Sequence, residues 1–64
     1  MTDHQTGSEE DRIKAAELYE AGLKLEAQRD YRGAITCYDQ SLRLYEDELV
    51  KDAYFRMLAT IGPV

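Results

Sequence analysis

Between Asp30 and Leu49 the chain reads DYRGAITCYDQSLRLYEDEL, and within it Tyr31, Ile35, Tyr38, Leu42, Tyr45 and Leu49 recur at alternating steps of four and three. That spacing draws one apolar stripe down an α-helix. Six large side chains on one edge cannot rest in water. Another part of the chain, or a second chain, must cover them.

The cover available is small. With 64 residues the chain forms one domain, and a domain of this size buries only roughly 60% of the surface its unfolded form exposes. A single cysteine excludes an internal disulfide, and one Cys with one His is too few for a structural zinc site. Support must come from helix packing or from a partner. The composition, 44% hydrophobic and 33% charged with four Gly and one Pro, suits a packed helical chain and not a disordered one. The predicted fold is all-α: an antiparallel helical hairpin plus a short third helix, a small three-helix bundle.

In chain order, residues 1–7 are polar without apolar periodicity and read as a flexible tail, and residues 8–62 form a single helical domain. Ser8 and Asp11 have the spacing of a capping box, and Glu9, Glu10 and Asp11 place negative charge at a helix N-terminus, so helix one is expected over about 9–28. Its apolar arc centres on Ala15, Leu18, Gly22 and Leu25. Gly22 costs about 1 kcal/mol relative to Ala in a helix interior, which predicts close approach of another backbone there. Asp30 is the expected N-cap of helix two, about 31–50, and the short connection forces an antiparallel hairpin in which tyrosines of the stripe meet small residues of helix one. After Leu49 the apolar phase moves to Tyr54, Met57, Leu58 and Ile61. Either a break near Lys51 or Asp52, with Asp52 as N-cap of a third helix over about 53–61, or one long helix with a new face accounts for this. The break is the favoured form, and Gly62 and Pro63 end the element.

For chemistry the sequence offers little. No phosphate loop, HExxH, CxxC or GxSxG element is present, so the chain reads as non-catalytic, with no cofactor and no metal. His4 stands alone in the tail, and Cys37 has no visible base to activate it. Thirteen acids against eight bases give a net charge of −5, which opposes nucleic acid and anionic membranes and attracts a basic segment. The tyrosines read as core and not as a base-stacking platform. No apolar run approaches the roughly 20 residues of a membrane span, and a lone cysteine fits a reducing, cytoplasmic setting.

One feature is left over on helix two. Cys37, Ser41, Leu44 and Glu48 form a second line, well round the helix from the tyrosine stripe. The third helix packs there, or part of the line stays open as a groove for an amphipathic peptide. These four residues, with Tyr54, Leu58 and Ile61 of the displaced face, are the expected partner-binding set.

The segment from Ala15 to Leu49 resembles a microtubule-interacting and trafficking domain, on Ala15, Leu18, Gly22 and Glu26 followed by Tyr31, Ala34, Tyr38, Leu42 and Leu49. The resemblance implies a three-helix bundle with a long second helix that captures short tail motifs of membrane-remodelling filament proteins in an inter-helix groove, an adaptor in protein transport. The same region is similar to a single tetratricopeptide-like hairpin, with Leu18, Gly22, Tyr31, Ala34 and Tyr38 at that repeat's offsets but no proline near Glu46, where the repeat closes its second helix. The leading expectation is therefore a protein-interaction module for a basic or amphipathic peptide. The alternative is self-association through the Tyr31–Leu49 stripe or the Tyr54–Ile61 face.

Overall fold

The structure, a computed structural model, describes residues 9–62. The expected tail, Ser8 of the capping box, and Pro63 lie outside the described residues. Three helices follow one another, α1 (Glu9–Ala27), α2 (Tyr31–Leu44) and α3 (Glu48–Ile61). α1 packs against α2, and α2 against α3, as a small all-α bundle.

The hairpin closes through small residues. Of α1 only Ala15 and Gly22 are buried, and α2 turns Ala34, Tyr38 and Ser41 inward. A β-carbon built on Gly22 would stand 2.5 Å from Cε1 of Tyr38, closer than real side chains approach. The close neighbour of Gly22 is thus an aromatic ring and not the partner backbone the sequence led us to expect. One heptad earlier on α1, the Ser41 hydroxyl donates to the Ala15 carbonyl at 2.7 Å, fully buried. Gly22 with Tyr38 and Ala15 with Ser41 run in opposite senses along the two helices, which fixes the hairpin as antiparallel.

Its turn is tightly specified. The Asp30 N–H donates to the Leu25 carbonyl at 2.8 Å and the Arg29 N–H to that of Glu26 at 2.9 Å, the paired bonds of a helix C-terminal motif whose turning residue is left-handed. That residue is Arg29, at φ 67°. The Asp30 carboxylate then accepts from the Gly33 N–H at 3.1 Å and caps α2, as its position in the sequence predicts.

The end of α2 departs from expectation. The helix stops at Leu44 and does not continue to residue 50; Tyr45 is extended, at φ −155° and ψ 124°. The break falls at residues 45–47, and Asp47, not Asp52, caps the third helix by accepting from the Leu49 N–H at 2.8 Å. α3 accordingly starts at Glu48 and is longer than the expected 53–61. The reason lies in what the break buries. Val50, Ala53 and Met57, at steps of three and four, come down on Ala34 and Tyr38 as one core, with Tyr31, Ile35, Leu42 and Tyr54 packed around it. The opening stripe therefore holds only as far as Leu42. Leu49, its last member, is 68% exposed. At the other end Gly62 stops α3 as expected, with φ 86° and its N–H on the Leu58 carbonyl at 3.0 Å.

Left-handed backbone strains every residue with a β-carbon, and the Arg29 side chain is exposed. Arg29→Gly is expected to raise the unfolding free energy by about 0.5–1 kcal/mol. Urea denaturation of the two proteins checks this, and a lower midpoint for the glycine variant would contradict it.

Candidate functional site

The residues expected to bind a partner do not form one surface. Ser41 is fully buried and spends its hydroxyl on Ala15, so it has nothing to present outward. Glu48 belongs to the first turn of α3 and not to α2, with its carboxylate in solvent 4.0 Å from the Lys51 ammonium. Cys37, a free thiol, and Leu44 are half-buried on α2, outside the core that α3 completes. The third helix thus does not cover the Cys37 line. It lies against the tyrosine side, over Ala34, Tyr38, Ile35 and Leu42. Tyr54 is half-buried on that core, and Leu58 and Ile61 look outward from it.

A different concavity emerges. α1 and α3 both rest on α2 but barely meet each other, and the gap between them forms a cleft of about 210 Å³. Arg12, Ala16 and Tyr19 of α1 make one wall and Leu49 of α3 the other; Ser41 and Val50 lie at the bottom, with Tyr45 and Asp47 of the connecting turn at the end. The helix break creates it, since a continuous second helix would have carried Leu49 and Val50 away from α1.

Arg12, Tyr19 and Glu26 stand seven residues apart and so share one edge of α1. Each has a partner across the gap or beneath it. The Arg12 guanidinium lies 5.0 Å from the centre of the Tyr45 ring, a cation–π contact between α1 and the turn. The Tyr19 ring packs on that of Tyr38, with centres 5.8 Å apart. Glu26 serves two helices at once: one carboxylate oxygen accepts from the Tyr38 hydroxyl at 2.9 Å, and the other lies 3.5 Å from the Arg56 guanidinium of α3. These contacts hold the rim at both ends and leave the middle open.

The electrostatics are local. Burial first, then the hydrogen bond to the Glu26 carboxylate and its charge, push the Tyr38 phenol well above its ordinary range. Lys51 is held above the usual ammonium range by Glu46, 3.1 Å away across the turn. Among the described residues no three His, Cys, Asp or Glu side chains converge as a metal site would require, and no helix is long and apolar enough to cross a membrane. What the cleft can do is take up side chains. It has an aromatic wall, an aliphatic wall and a cation at its rim, and its volume falls below the roughly 300–1,000 Å³ of small-molecule and cofactor sites.

The sequence signal for this site was present but faint. Asp47 followed by Glu48 has the form of an N-cap with an acidic first turn, and Val50, Ala53, Met57 is a second apolar register beginning before the stripe ends. Compared with known protein families, with curated proteins and with solved structures, the chain finds no match.

Because the folded chain holds the Tyr38 proton more tightly than the unfolded chain does, the stability this gives is complete below the unfolded phenol value of about 10 and is lost as pH rises above it. Tyr38→Phe keeps the ring and removes the titration. Urea midpoints between about pH 8 and pH 11 should therefore fall more steeply for the native chain than for the variant, and parallel curves would contradict the assignment.

Proposed function

We propose that this chain is a non-catalytic protein-interaction module whose α1–α3 cleft receives an apolar anchor residue of a basic or amphipathic peptide. The open cleft, with Leu49 exposed on its wall, carries this reading. An apolar side chain that takes so much solvent beside a half-formed pocket gains most from a partner that covers both.

Charge supports the nature of the partner. The whole chain carries −5, and α1 alone has six acids, Glu9, Glu10, Asp11, Glu17, Glu20 and Glu26, against Arg12, Lys14 and Lys24. Lysines or arginines flanking the anchor would be drawn to this helix and would set orientation and on-rate more than final affinity. The site therefore moves from the Cys37–Leu44 line to the opposite edge of the hairpin, while the class of partner stays the same.

Of the two family resemblances, we favour the tetratricopeptide-like hairpin. α2 stops at Leu44, short of the long second helix of a trafficking domain, and the chain turns at residues 45–47, where the repeat pattern has its closing proline. Gly22, Ala34 and Tyr38, which the two resemblances share, lie at the centre of the helix contact. On this reading the chain is an adaptor, and the free Cys37 suits work in a reducing, cytoplasmic compartment.

A Lys-containing amphipathic peptide titrated into the labelled chain should shift the amides of Ala16, Tyr19, Leu49 and Val50, and Leu49→Glu should weaken binding by about tenfold or more. Shifts confined to Cys37 and Leu44 would return the site to the far side of α2. No shift anywhere at about millimolar peptide would refute peptide binding.

A further inference from the structure

We propose that the groove between α1 and α3 selects a helical partner with two adjacent basic residues set between two apolar ones, through the carboxylates of Glu20 and Asp52 on its opposite rims. This rests on the peptide-binding reading of the cleft and names what that peptide must carry.

The rims follow from the run of the helices. Arg12 of α1 meets Tyr45 just before α3 begins, and Glu26 meets Arg56 within it, so α1 and α3 lie side by side and point the same way. Ala16 and Leu49 line the cleft from its two sides. Beyond them, Ala16, Glu20 and Leu23 stand at i, i+4 and i+7 on one edge of α1, and Leu49, Asp52 and Arg56 at i, i+3 and i+7 on one edge of α3. Each rim therefore carries an exposed carboxylate one turn past the cleft. A further turn on, Leu23 is 38% exposed, and the Glu26–Arg56 pair ties the two helices together.

The neighbouring cations are committed elsewhere. Arg56 is drawn to Glu26, Arg12 lies over the Tyr45 ring, and Lys51 is held by Glu46. Lys24, one turn on from Glu20, makes no ion pair with it, and among the described residues neither Glu20 nor Asp52 has a cation partner. Two unpaired acids facing each other over one apolar groove select positive charge, and their positions say where it must sit. A groove between two helices takes a third along its length. With an apolar anchor in the cleft, the residues three and four places away stand one turn on and diverge to either side of the anchor's line, so adjacent basic residues there reach one rim each. The seventh residue returns to that line about 10 Å from the anchor, which is the rise from Ala16 to Leu23 along α1. The pattern is apolar, two residues, two basic, two residues, apolar. It reads the same in both directions and so holds whichever way the partner helix lies.

Calorimetric titration of the full chain with an alanine-based peptide of about sixteen residues centred on Leu-Ala-Ala-Lys-Lys-Ala-Ala-Leu tests this, with amide shifts locating the contact. A comparison peptide of the same composition, centred on Leu-Ala-Lys-Ala-Ala-Lys-Ala-Leu, turns both lysines to the far side of the helix. The first should bind about tenfold more tightly than the second. Glu20→Lys and Asp52→Lys should each weaken the first about fivefold, whereas Glu17→Lys, the same change of charge on the side of α1 away from Tyr19, should alter it less than about twofold. When Glu20→Lys and Asp52→Lys are combined, a peptide with glutamates in place of both lysines should bind better than the original. Equal affinity for the two peptides, or equal losses in Glu17→Lys and Glu20→Lys, with shifts still at Ala16, Tyr19 and Leu49, overturns this proposal and leaves the cleft as a binding site. No shift at those residues with either peptide removes the cleft and this proposal together.

Discussion

The ring of Tyr38 lies against Gly22, and the hairpin depends on the space that this glycine leaves. Tyr38 is the largest fully buried side chain among the described residues, and its contacts join all three helices. On one side it fills the notch in α1 and packs at a tilt against Tyr19. On another it belongs to the core with Ala34, Val50, Ala53 and Met57 that attaches α3. Its hydroxyl reaches Glu26, which in turn meets Arg56 of α3. A core with three alanines supplies little hydrophobic free energy by area, so close approach of the helices has to supply contact density instead. Gly22 and Ala15 on one helix, Ala34 and Ser41 on the other, allow that approach.

Much of this is legible in the sequence. The heptad of tyrosines, the small residues of α1 and the Asp30 cap together specify an antiparallel hairpin, since periodicity and capping are local signals that tertiary packing here only reinforces. Gly22 announced a close contact, although a glycine by itself does not say whether a ring or a backbone fills its notch. The turn at residues 45–47 was harder to see. Tyr45 and Leu49 extend the stripe in perfect register, and neither Gly nor Pro marks the stop. What ends α2 is a tertiary gain, the burial of Val50, Ala53 and Met57 over Ala34 and Tyr38, and a pattern read along one helix cannot weigh that against the few backbone bonds a break gives up.

That same break explains why the residues expected to bind a partner do not share one surface. With α2 run on to residue 50, Cys37, Ser41, Leu44 and Glu48 make one continuous line; with α2 ended at Leu44, Glu48 leaves for α3 and Ser41 proves to be the inner partner of Ala15. The two surfaces that result lie on opposite sides of α3. Leu49 and Arg56 face α1 across the cleft, and Phe55, Leu58 and Ile61 face away. A short turn without glycine or proline thus creates the cleft and displays the outer face in one step.

The dependence on the Tyr38–Gly22 contact is tested most directly by a double-mutant cycle read by urea denaturation. With Tyr38 in place, Gly22→Ala should destabilise the chain by about 1–2 kcal/mol, because the new methyl group displaces the ring. In a Tyr38→Leu background the same change should instead stabilise by up to about 1 kcal/mol, the ordinary helix preference of Ala over Gly. Equal effects in both backgrounds would show that the ring and the glycine are not coupled, and the account of how this hairpin closes would be wrong.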